Sequence, residues 1–145
     1  MPDDHPGKDH AELVAQWLER ATSGLDPVRL PELLDAALAT LWKRTQLTLG
    51  DVTISAIVDR VLHIAAERFP ILSPLAVELT GVQFQGLSAR AASVPTEEMV
   101  AALRLVLTEL LTIIANLTAD VLTPALHAEL AKVALDPAAR EDKPS

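Results

Sequence analysis

The most regular pattern in the chain is a run of apolar residues spaced alternately three and four apart: Val100, Leu103, Leu107, Leu110, Ile114, Leu117 and Val121. That spacing sets all seven on one helical face, at the a and d positions of a heptad. Val106, Leu111 and Ile113 widen the stripe, and only Arg104, Glu109 and Asp120 carry charge between 100 and 121. A helix so poor in charge is normally covered on more than one side. It is predicted to run over 96–122 as the centre of the fold or of an oligomer. Thr96 is placed to cap it, and Glu97 and Glu98 suit its positive end.

Three further helices are predicted before it. The first runs from about His10 to Thr22, with Leu13, Trp17 and Leu18 on its apolar side, and Ser23-Gly24 ends it. The second runs from about Val28 to Leu47, with Leu30, Leu34, Ala37, Leu38, Leu41 and Trp42 on one face. Pro31 fits only its first turn. In the third, Ile54, Ile57, Val58, Val61, Leu62, Ala65 and Phe69 keep helical spacing up to Pro70. Leu47, Leu49, Val52 and Ile54 also alternate around Gly50-Asp51, as a hairpin would. The preferred reading instead makes Gly50 the end of one helix and Asp51 the N-cap of the next. After 122, Thr123-Pro124 either kinks the long helix or starts a fifth, Ala125 to Leu135.

Residues 74–87 change period. Leu75, Val77 and Leu79 alternate with Ala76, Glu78 and Thr80, and Val82 and Phe84 alternate with Gln83 and Gln85. A hairpin turning at Thr80-Gly81 would pair Leu79 with Val82 and Val77 with Phe84, apolar side inward. The alternative is a short helix opened by Ser73-Pro74 and closed by Gly81. The hairpin is preferred, at 75–86. Its unpaired edge makes it an expected interface, with Val77 and Phe84 as members. The fold class expected is mainly α, with four to five helices around the heptad helix and one hairpin. It becomes α+β if the hairpin forms a sheet across a dimer. One helical domain is expected over 10–136, between disordered tails at 1–9 and 137–145.

Composition narrows the chemistry. At 145 residues the chain can bury a full core without staples. It has no cysteine, so disulfides, thiolate metal sites and thiol nucleophiles are excluded. A net charge of −8, with Lys43-Arg44 the only adjacent basic pair, argues against nucleic acid as a partner. The N-terminus lacks the apolar core of a signal peptide. The longest charge-free apolar run near the heptad, Leu110 to Ala119, is half of what a bilayer span needs. No membrane span and a cytoplasmic location are therefore expected. Leu and Ala make up about a third of the chain, a usage that suggests a GC-rich bacterial genome.

Asp59, His63 and Glu67 stand at i, i+4 and i+8 on the polar side of the third helix, a spacing that can offer ligands to a metal. No second element supplies another ligand, and no Glu-x-x-His pair exists, so a solvated face is expected, with no metal and no cofactor. His127 lies in LTPALHAELAKV, which resembles the His-bearing helix of histidine-kinase dimerisation domains. That resemblance implies a phosphoacceptor role. In the family an acidic residue directly follows the His and a Pro comes later, whereas here Ala128 intervenes and Pro124 comes first. Arg90, in the loop before the heptad helix, is a candidate for reaching a partner's phosphate. There is no G-x-S-x-G elbow, P-loop or G-x-G-x-x-G.

The expectation is a non-enzymatic regulatory or adaptor module of bacterial signalling that acts through protein–protein contacts. A homodimer is expected along the heptad stripe, because a two-fold interface reuses one self-complementary face. The alternatives are a phosphorelay-type domain using His127 or His63 and a small-molecule sensor bundle.

Overall fold

The computed structural model describes residues 6–78, 81–83, 87 and 93–135. It is mainly α, with one antiparallel hairpin. The elements are α1 (Pro6–Thr22), α2 (Leu30–Leu49), α3 (Asp51–Arg68), β1 (Ala76–Glu78), β2 (Gly81–Gln83), α4 (Thr96–Leu117) and α5 (Thr123–Ala131). Single 3₁₀ turns at Pro27–Arg29 and Pro70–Leu72 lead into α2 and out of α3.

The heptad helix is the centre. α4 touches each of the other four helices, most extensively α1 and then α3. Leu103, Leu107, Leu110 and Ile114 have no exposed surface, and Val106, Leu111 and Ala115 beside them are buried too. Four of the seven stripe residues expected at a dimer seam are thus covered by this chain's own helices. Val100 is half-buried, while Leu117 and Val121 are 59% and 75% exposed. By length and composition alone α4 could cross a bilayer, which the charge-free run did not reveal. In this fold its apolar face is spent on the bundle core.

α4 stops five residues short of the expected Leu122. Ala119 and Asp120 both take left-handed φ, 52° and 66°. The Asp120 N–H bonds back to the Ala115 carbonyl at 2.8 Å, the long closing bond of a Schellman turn. Such turns usually carry glycine, and none stands here. α5 then opens at Thr123, two residues early, and ends at Ala131. At the other end of the chain α1 begins at Pro6 rather than His10, so part of the expected disordered tail is helical. Residues 1–5 and 136–145 lie outside the described residues.

α2 buries Leu30, Leu33, Leu34, Ala37, Leu38, Leu41 and Trp42, and α3 buries Ile54, Ile57, Val58, Val61, Leu62 and Ala65. These are the faces that the spacing predicts. Gly50 is the only residue between the two helices and serves both as C-cap and N-cap. Asp51 is therefore the first helical residue, one place after its expected cap position, and its side chain accepts from Gln46. Gly50 sits at φ 89°, ψ 165°, a region essentially reserved for glycine. Gly50→Ala is expected to cost about 1–3 kcal/mol through backbone strain alone, since nothing lies within 4 Å of the added Cβ. Urea denaturation reads the cost; an unchanged midpoint would mean the junction relaxes freely.

The entry to α2 is electrostatically uneven. Asp26 caps the preceding turn through the Val28 N–H, and buried Arg29 grips both carboxylate oxygens of Glu32 at 3.0 Å. One turn on, partial burial and then the Glu32 charge raise the Asp35 carboxyl above its ordinary 3.8. The folded chain thus holds this proton more tightly than the unfolded chain. The stability is present in full below the ordinary value and falls as pH rises through the folded one. Asp35→Asn is expected to raise the thermal midpoint slightly at neutral pH and to leave it unchanged near about pH 3. A gain of equal size at both pH values would refute this origin.

The hairpin forms, but in a different register. Val77 pairs with Val82, Ala76 with Gln83 and Glu78 with Gly81. Val77 thus faces Val82 rather than the expected Phe84, a slip of two in the residue sum. Such a slip keeps every side chain on its face. Val77 and Val82 are half-buried and pack on the core, while Glu78 and Gln83 face out and bond to each other at 3.2 Å. Phe84 and Leu79 lie outside the described residues.

Candidate functional site

A groove runs between α3 and the segment from Leu72 to Glu78. α3 has an apolar stripe toward the core and a polar side toward solvent, and the groove lies where the two meet. Leu62 and Ala66 supply one wall. After Pro70 ends α3, the 3₁₀ turn brings Leu72 back across the helix, and Leu75 and Val77 continue the opposite wall. The rim is polar: Asp59, His63, Glu67 and Ser73. This part is about 340 Å³. A neighbouring cleft of about 370 Å³ extends it along α3 past Ser55 and Ala56, sharing Asp59 and Val77 and adding Glu78.

The Asp59–His63–Glu67 series that the sequence singled out is therefore on this rim, exposed to solvent. No group of three His, Asp or Glu residues placed to hold a metal converges among the described residues. Helical geometry accounts for this. Each four-residue step turns about 40° past a full turn and rises about 6 Å, so the ends of the series stand about 12 Å apart.

β1 borders the groove, with β2 on one of its edges and, among the described residues, no strand on the other. The two-residue connection makes Glu78–Gly81 and Ala76–Gln83 the hydrogen-bonded pairs and Val77–Val82 the non-bonded pair. The N–H and carbonyl of Val77 are thereby directed to the open edge.

His127 occupies a different place. Its Nε2 lies 2.9 Å from Nδ1 of His10, with the rings edge-on at 87° and their centroids 5.0 Å apart. A bond between two imidazoles needs one protonated and one bare nitrogen. His10 is buried, at 1% exposure, and His127 is half-buried, so the pair pins α1 to α5. The nitrogen of His127 in this bond is already engaged, unlike the exposed phosphoacceptor that its segment's resemblance implies. Sequence spacing could not bring out this pair, whose members stand 117 residues apart. Val100 lines a shallow cleft of about 270 Å³ between α1 and α4, beside Glu19 and Arg104. Arg90 lies outside the described residues.

No family model, curated protein or solved structure matches the chain.

Proposed function

We propose that the chain is a non-catalytic regulatory or adaptor module that docks a partner protein in the groove between α3 and β1. The observation that carries this reading is the continuity of the groove with an open strand edge. An apolar trough, a polar rim and a strand edge with no partner strand among the described residues, all at one place, are what a polypeptide needs for burial, orientation and strand pairing. The bundle core supports the reading from behind. α3 packs on α4, so the helical wall of the groove is backed by the bundle core.

The test is site-specific photocrosslinking in the source cells. Benzoylphenylalanine at Ala56 or Ser73, both exposed beside the groove, is expected to give one discrete protein adduct. The same group at Glu12, exposed on α1, is expected to give none. Identical adduct patterns at all three positions would overturn the reading.

A further inference from the structure

We propose that the occupant of this groove is an extended, basic segment of a partner protein, about five residues long, with an apolar residue at its centre and Lys or Arg towards both ends. The proposal rests on the docking reading above and adds the chemistry of the partner. Its first support is charge. Asp59, Glu67 and Glu78 line the two connected clefts, and among the described residues no Lys or Arg does. A cationic segment finds three carboxylates there and, among the described residues, no repelling charge. A second copy of the chain is disfavoured, because each copy carries a net charge of −8.

The second support is length. Asp59 and Glu67 are eight helical residues apart, about 12 Å along α3. An extended chain covers that distance in about four residues, at ~3.3 Å each. Side chains at i and i+4 of a strand share a face, so basic residues at those positions match the two acidic stations. Their long stems can lie on apolar surface while the charges reach the rim. The residue midway between them lies over Leu62, Ala66 and Leu75. The third support is the open edge of β1, where the Val77 backbone groups can pair with an added strand.

The experiment titrates the full chain into a fluorescein-labelled pentapeptide, KVLVK, and its acidic counterpart, EVLVE, and follows anisotropy. KVLVK is expected to saturate, to bind at least about tenfold more tightly than EVLVE, and to weaken with added salt. The triple variant Asp59→Asn, Glu67→Gln, Glu78→Gln is expected to lose at least about tenfold in KVLVK affinity. The control triple Glu12→Gln, Glu19→Gln, Glu97→Gln makes the same change of charge at exposed sites elsewhere and is expected to stay within about twofold. Circular dichroism of both variants checks that they fold alike. Equal binding of the two peptides, or equal loss in the two triple variants, would overturn the proposal, since general attraction to an acidic chain would then suffice. If KVLVK fails to bind while the Ala56 and Ser73 adducts persist, the basic-segment proposal falls and the docking reading stands. If the adducts are missing as well, both fall.

Discussion

Leu107→Glu is expected to unfold the chain rather than to separate subunits. Leu107 has no exposed surface and sits in the middle of α4, between the helices that cover it. Among the described residues, the buried polar and charged ones are His10, Arg29 and Thr45. Arg29 already holds Glu32, and His10 holds His127, so an ionised carboxylate at 107 meets no ready counter-charge. An unpaired buried charge costs several kcal/mol, a large part of the roughly 5–15 kcal/mol that stabilises an ordinary domain. The carboxyl escapes part of that cost by staying protonated, with its folded value raised above the ordinary one. The loss is therefore smallest below the ordinary glutamate value and grows as pH rises through the folded value. Far-ultraviolet circular dichroism should show lost helix at neutral pH and partial recovery in acid. Leu107→Met, similar in volume and apolar, should stay close to wild type. A well-folded monomeric Glu variant of a dimeric parent would instead place the stripe between subunits.

That outcome separates two readings which the pattern alone could not. A heptad stripe records that a face is covered, not which chain covers it. In this fold the chain's own helices do so at Leu103, Leu107, Leu110 and Ile114. The faces of α2 and α3 were legible for the same reason: residues three and four apart must turn inward together. Gly50 was legible because its backbone angles nearly require glycine. What escaped the sequence has physical causes of other kinds. The end of α4 depends on Ala119 and Asp120 adopting left-handed angles, without the glycine that normally marks such a stop. The hairpin register escaped because a slip of two leaves Val77 and Val82 on the same face. The polar rim of the groove was visible as Asp59, His63 and Glu67. Its apolar wall was not, because Leu72, Leu75 and Val77 meet α3 only after the chain has reversed at Pro70. The union of His10 with His127 is a tertiary fact with no local trace.

Trp17→Ala is expected to cost about 3–5 kcal/mol, the usual range for truncating a buried aromatic. The indole is 2% exposed, within the stripe that α1 presents as Val14, Trp17, Leu18 and Ala21. Its spacing alone did not distinguish a core anchor from an exposed contact residue, and the burial assigns it to the core. Trp17 also does a second thing. Its Nε1–H donates to the Val133 carbonyl at 2.9 Å, just beyond the end of α5. The side chain thus anchors α1 in the core by packing and ties it to the last part of the fold by a directed bond. Trp17→Phe separates the two contributions. It keeps an aromatic body but leaves the carbonyl of buried Val133 without this donor, at a cost of about 1–3 kcal/mol. Urea titrations of both variants can be followed by the fluorescence of Trp42, which is buried in the wild type. The expected order of midpoints is wild type, Phe, then Ala. Hydrogen exchange should show the largest loss of protection in α1 and α5, the helices that Trp17 and the His10–His127 pair join. An Ala variant with an unshifted midpoint would mean that α1 is not part of the cooperative core.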